Sequence, residues 1–341
     1  MIDERRQKIL DHIKFEREKY GGTLSETIAE KYIDLCKPID KNTRNIGYLS
    51  LNDIQLGDVY LHSSKMSWIN SRHPNVNIFV FSKNFHFDVI PLYERIKGIH
   101  KVLNIKSLEQ AEQFIKDNII DTLIYNRGEV FHNEIKYGCV ESVPTKEDVN
   151  SGFYDWWMKN KLNTLDITKG ITSVGYINGK PNLVCHIRNS FNCAERNYSL
   201  DNWKNLLEGL DKYFNIMLIG HKTIDHIDDK IYNFFGAKYD VVPLRLSLDL
   251  FRILSNTKFF IGPDTGCLHV AESFRNVVCI DLINRNSYWG FFPSYNEHYS
   301  VIADSMQTLD PNIPKNVLLN CVNGRPDLNL KYRIRSKYWL S

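Results

Sequence analysis

Two long stretches of this chain alternate short apolar runs with segments of helical spacing, and few architectures accept that alternation. In the first stretch IGYLSL, VNIFVFS and DTLIYN read as strands. A helix starting near Gly57-Asp58, DVIPLYERIKGIHKVLNI as a helix and short strand, and SLEQAEQFIKDNI as a helix lie between them. In the second stretch NLVCHI, NIMLIG, KFFIG and VVCIDL are the strands. SLDNWKNLLEGLDKY, TIDHIDDKIYNFFG, SLDLFRILSNT and CLHVAESF are the helices of that stretch. Strands separated by helices form parallel sheets covered on both faces rather than hairpins. The expected class is α/β, with two doubly wound halves and ligands beyond the carboxyl ends of the strands.

The pattern also sets boundaries. Residues 1–44 carry Ile9, Leu10, Ile13 and Phe15, then Ile28, Tyr32 and Leu35, around Gly21-Gly22, which predicts two helices with a break. TLSETIAEKYIDLC opens with a Thr/Ser start and has Glu26 in its first turn, the arrangement of a capped helix. A helical extension packed on the first domain is favoured over an arm for a partner or acceptor. Residues 45–178 form the first domain and 179–315 the second, joined near Gly179 after a less regular stretch. Residues 316–341 form a tail expected to pack back on the first domain.

Composition excludes several classes. With 341 residues there is material for two cores. A net charge of +3 is too small to imply an extended nucleic-acid surface. The seven cysteines (36, 139, 185, 193, 267, 279, 321) are odd in number, scattered and without a CxxC pair, which argues against a zinc site or a disulfide framework. The charged start MIDERRQKILDHIKFEREKY lacks the apolar core of a signal peptide. No run approaches the roughly 18 apolar residues of a membrane span. A cytoplasmic protein in a reducing compartment is expected.

The candidate chemistry sits at strand ends. In KFFIGPDTGCLHVAESF a strand turns on Pro-Asp-Thr-Gly into a helix. Asp264 and Thr265 suit a helix start, and Thr265, Gly266 and the following amides suit a pyrophosphate, with His269 in reach from the first helical turn. A capped helix with His269 on a core carbonyl fits the same residues. In HIRNSFNCAERNYSLDNW, His186 and Arg188 end a strand and Arg196 precedes a Ser-initiated helix. Arginines there suit charge-assisted contacts to phosphate, or equally a solvated surface. Asp58, after Gly57, is placed to take a proton from a bound hydroxyl, although spacing alone favours a helix cap. Asp225, Asp228 and Asp229 in TIDHIDDK suit a solvated helix face better than a metal site. GYINGKPN lacks the strand-to-helix context of a dinucleotide fingerprint, and the aromatic YWGFFPSY (288–295) suits stacking on a base or sugar, or a hydrophobic plug.

In this order the elements resemble the family-nine glycosyltransferases, the heptosyltransferase family that builds the bacterial lipopolysaccharide core. The residues that carry the resemblance are LGDVYLHSSKMSWINSRHPNVNIFVFS, RNYSLDNWKNLL, IMLIGH and FIGPDTGCLHVAES, across roughly residues 45–305. The extension before residue 45 is outside the family pattern. The resemblance implies a GT-B fold, two Rossmann-like domains facing a cleft, with acceptor held by the first and nucleotide-sugar by the second. It implies that Asp58 is the catalytic base. Asp264, Thr265, Gly266 and His269, with Arg196, would bind the donor sugar and diphosphate. His186 and Arg188 are added to that donor set, and Arg127, in IYNRGEVF, would help bind a phosphorylated acceptor.

The expected activity is therefore an inverting, metal-independent transfer of sugar from a nucleoside diphosphate to an acceptor hydroxyl, with no cofactor. A glycan or lipopolysaccharide-like acceptor is expected. Two alternatives stay open: a phage-type enzyme acting on a hydroxymethylated DNA base, which the basic LKYRIRSKYW permits, and a non-catalytic nucleotide- or glycan-binding protein on the same fold.

Overall fold

The computed structural model describes residues 4–51, 72–83, 88–125, 176–189, 194–222, 229–245, 247–272, 277–284 and 298–324, with positions 59, 66, 69, 70, 225 and 274. The chain divides into two compact units, Met1–Asp166 and Ile167–Ser341.

The first unit opens with helices α1 (Glu4–Tyr20) and α2 (Leu24–Lys31), broken at Gly21-Gly22 as the spacing predicts. Their apolar residues Ile9, Ile13, Ile28 and Ala29 are buried. Next come strands β1 (Asn45–Ser50), β2 (Asn77–Ser82), β3 (Ile99–Asn104) and β4 (Thr122–Tyr125), and helices α3 (Ile90–Tyr93) and α4 (Leu108–Asp117). The sheet is parallel, in the order β3-β2-β1-β4. The direction of winding reverses between β1 and β4, and a doubly wound sheet opens its ligand crevice beyond the carboxyl ends of such a pair.

The extension reaches that place. Leu51, the residue after β1, donates its N–H to Ser25 Oγ at 3.1 Å. At the end of β4, the Tyr125 hydroxyl donates to Glu26 Oε1 at 3.2 Å. Glu26 also accepts from the Thr23 N–H, completing the capping pair that the TLSE spacing predicts. Further along α2, Lys31 pairs with Glu112 of α4. One helix start thus fastens to both strands at the switch point of the first sheet.

The second unit contains β5 (Tyr176–Ile177), β6 (Lys180–His186), β7 (Asn215–His221), β8 (Asp240–Leu244), β9 (Phe259–Pro263), β10 (Val278–Asn284) and β11 (His298–Ala303). Its order is β8-β7-β6-β9-β10-β11, with β5 antiparallel on β6. Without β5 this is the 3-2-1-4-5-6 order of dinucleotide-binding sheets, and its reversal falls between β6 and β9. Within GYINGKPN, residues 176–182 form the β5–β6 hairpin, turning on Asn178-Gly179. The interior strand β10 is buried along its whole length, as a parallel strand covered on both faces must be.

Helices α5 (Leu200–Leu207), α6 (Asp229–Gly236), α7 (Ser247–Ser255), α8 (Gly266–Ala271) and α9 (Asn312–Val322) complete this unit. Trp203, Leu206 and Leu207 of α5 share a core with Leu183, Ile261 and Ile280 of the sheet, and α9 adds Val317 and Leu318. Two helices are shorter than their periodicity suggests. The SLDNWKNLLEGLDKY helix stops at Leu207 because Gly209 takes φ 77°, a left-handed turn after which only a 3-10 turn follows. The TIDHIDDKIYNFFG helix starts at Asp229, leaving Asp225 outside it. Strands β8 and β11 and helix α9 add to the elements expected from sequence. Among the described residues no helix is long and apolar enough to cross a membrane.

Glu26 is fully buried and accepts from the Tyr125 hydroxyl and the Thr23 N–H, so its loss removes both hydrogen bonds together. Glu26→Ala should lower unfolding free energy by about 1–3 kcal/mol, measured by urea denaturation. Tyr125→Phe should cost less, about 1 kcal/mol.

Candidate functional site

The second sheet's switch point is built from the end of β6, the end of β9 and the turn into α8. Gly262 of β9 lies close against β6: a side chain there would bring its Cβ within 2.9 Å of the His186 Cβ. The chain then leaves β9 through Asp264 and Thr265. Thr265 is the residue before α8, with extended backbone at φ −148° and ψ 169°, yet its hydroxyl does not cap the helix. Instead Thr265 Oγ1 lies 3.0 Å from His186 Nδ1.

Asp264 is the centre of the local charge. Arg196, on the turn Ala194–Arg196, donates through Nη1 to the Asp264 carbonyl at 3.0 Å and stands 3.9 Å from its carboxylate. His269, one helical turn into α8, holds Nε2 3.7 Å from the Asp264 carboxylate and Nδ1 3.6 Å from Glu272. Asn284, at the end of β10, donates to the Glu195 carbonyl at 2.9 Å and so fixes the arginine-bearing turn to the sheet. Two basic side chains are therefore held in place at one strand end by buried acids beneath them.

A further fully buried acid is Asp281, in the middle of β10 and in register with Gly262 of β9. Neither carboxyl oxygen has a hydrogen-bond partner among the described residues. Burial, and then the neighbouring Asp264 and Glu272 charges, hold its pKa well above the carboxylate range, with Arg196 pulling weakly the other way. Asp281 is thus biased toward its protonated, uncharged form, and a lone acid in the apolar VVCIDL run is the sequence signal for it.

The expected site residues separate clearly. Asp264, Thr265, Gly266, His269, Arg196 and His186 come together around one turn. Arg188 follows His186 beyond β6 and acts electrostatically on Asp225. Asp58 and Arg127 lie outside the described residues, as do Asp228 and the aromatic segment 288–295. One expectation is corrected. Asp225, read from its spacing as part of a solvated helix face, is 3% exposed and precedes α6. Its Oδ2 accepts from His186 Nε2 at 3.0 Å and from the His221 N–H at 2.7 Å. Its partner is 39 residues away in the chain, so no local pattern announces the pair. Among the described residues no three His, Cys, Asp or Glu side chains are arranged to hold a metal ion.

Asp281 has a consequence for stability. An unfolded aspartate ionises near about pH 4, whereas the buried one keeps its proton well above that. Between those two values the folded chain binds one proton more than the unfolded chain, so stability falls as pH rises. Asp281→Asn should raise the Tm at pH 7, by about 2–4 °C for each kcal/mol regained, and leave it unchanged at pH 3.5 or so. A pH series of thermal melts on both proteins checks this.

No protein-family model and no curated protein sequence matches the chain. Solved structures do. An E. coli ADP-heptose lps heptosyltransferase II superposes with a TM-score of 0.57 at 11% identity, covering 82% of this chain and 99% of that one. The E. coli heptosyltransferase WaaC with ADP gives 0.54 at 12% identity, with 81% and 99% covered. A glycosyl transferase of family 9 from Veillonella parvula gives 0.53 at 9% identity, with 84% and 99% covered. Similarity at these identities speaks to architecture, and it agrees with the strand orders: the chain has the two-sheet α/β fold of the GT-B heptosyltransferases.

Proposed function

We propose that this protein is a glycosyltransferase of the family-nine type. It moves a sugar from a nucleoside diphosphate to an acceptor hydroxyl, with inversion and without a metal. The observation that carries the reading is the Asp264–Thr265–Gly266 turn, standing at the β6/β9 switch point with Arg196 and His269 fixed against it. Support comes from the fold shared with structures named for ADP-heptose and ADP.

Each residue has a role in this reaction. The acceptor oxygen bonds to the anomeric carbon while the bond from that carbon to the diphosphate oxygen breaks. Asp58 takes the acceptor's proton, and the diphosphate leaves with the electron pair. Positive charge spreads over the sugar ring and negative charge over the departing oxygens, so fixed donors aimed at the latter lower the barrier. Arg196 and His269 supply that stabilisation, the Asp264 carboxylate suits sugar hydroxyls, and the Thr265 hydroxyl and adjacent amides suit phosphate oxygens. Helix α8 has only six residues, which makes the side chains the larger contributors. Arg127 contributes to the acceptor, and a glycan is the acceptor class this reading favours.

Nucleotide release from ADP-, UDP-, GDP- and CDP-sugars, with glycan and hydroxymethylated DNA offered in turn, tests the reading. One nucleotide should be released in an acceptor-dependent way, insensitive to EDTA. Asp58→Asn should abolish release and leave donor affinity intact. Arg196→Ala should lower kcat about a hundredfold, the typical effect of losing one preorganised donor. Nucleotide binding without turnover under every acceptor would instead indicate a binding protein.

A further inference from the structure

The Thr265 hydroxyl stands at the head of a chain of buried polar groups that the transfer chemistry does not itself require. From Thr265 Oγ1 the chain runs 3.0 Å to His186 Nδ1, and from His186 Nε2 3.0 Å to Asp225 Oδ2. His186 is 1% exposed, with one ring nitrogen facing Asp225 and the other facing Thr265. On the side of the turn its neighbours are the Thr265 hydroxyl and the Cys267 sulfur.

The direction of each bond follows from the acceptors. Asp225 Oδ2 accepts from both the His221 N–H and His186, so Nε2 carries a proton. If Nδ1 carries one too, it donates to Thr265 Oγ1, and the hydroxyl proton turns outward. If Nδ1 is bare, the hydroxyl donates inward to the ring and presents only lone pairs to a ligand, which repel a phosphate oxygen.

We infer that His186 and Asp225 are positioning residues that keep the Thr265 hydroxyl proton directed at the diphosphate of the donor. This rests on the reading of the turn as a donor site. The surroundings of the ring favour the doubly protonated state. Burial alone would lower its pKa, but the charge and the hydrogen bond of the Asp225 carboxylate raise it. Burial would raise Asp225, yet His186, the His221 N–H and Arg188 hold it below the usual carboxylate range. The groups that face the pair are therefore Thr265 and Cys267 from the α8 side, His221 from the end of β7 and Arg188 from beyond β6.

The test joins a ligand-free readout to a binding cycle. In 15N NMR of the imidazole side chains, with His186 assigned by its loss in H186Q, both ring nitrogens should be protonated at pH 7 in the wild type. In D225N the ring should be neutral. Affinity for the tightest binder among ADP, UDP, GDP and CDP is then measured by calorimetry. T265V and D225N should each weaken it about tenfold or more, the scale of one hydrogen bond to a charged group. T265S should bind like the wild type, and D225N/T265V no worse than T265V alone. Binding by the wild type should decline as pH rises above the usual imidazole range, and in D225N should already be weak at pH 7. A neutral His186 ring in the wild type overturns the proposal, as do additive losses in the double variant. If the wild type binds none of the four nucleotides, the donor reading itself fails, and this proposal with it.

Discussion

The close approach of β9 to β6 at Gly262 is the constraint on which the second site depends. With a 2.9 Å gap between the His186 Cβ and any side-chain carbon at position 262, only glycine lets the two strands pair in their observed register. That approach brings the imidazole of one strand end to the hydroxyl that follows the other. A larger residue would push β9 outward and carry Asp264, Thr265 and the start of α8 with it. Packing deep in a sheet thus sets the position of polar groups at its rim, where a misplacement of about 1 Å is enough to weaken a catalytic contact severely.

Around that geometry the charges are arranged in depth. Asp281 and Glu272 are fully buried, Asp264 is nearly so, and Arg196 and His269 are the most exposed of the five. Long basic side chains lose considerable freedom when they bind an anion. Here part of that ordering has occurred on folding, because the acids beneath hold both groups before any ligand arrives. A buried carboxyl with no hydrogen-bond partner among the described residues costs stability, and sites of function are where proteins tolerate such costs.

Much of this was legible in sequence because parallel sheets write strong local patterns. Runs such as KFFIG and VVCIDL identify buried strands, and the Pro-Asp-Thr-Gly stretch marks a strand-to-helix turn suited to an anion. What was not legible involves distance along the chain or weak edges. Asp225 looks like its acidic neighbours until His186 is placed beside it. Strand β8 is interrupted by Pro243, which an edge strand tolerates and a pattern search discounts. The helix after Ser199 keeps its apolar spacing beyond Gly209, so periodicity alone overran the stop.

The first unit repeats the logic with one addition. Its switch-point strands β1 and β4 are fastened to the start of α2 through Ser25 and Glu26, so the helical extension is part of the architecture at that edge. The central claim concerns the second unit: the turn at the end of β9 receives the diphosphate of a nucleotide-sugar. A crystal structure of the protein with the nucleoside diphosphate it binds tests this most directly. The account predicts phosphate oxygens in hydrogen-bond contact with Thr265 and within reach of Arg196 and His269. A nucleotide bound away from the carboxyl ends of β6 and β9 would contradict it.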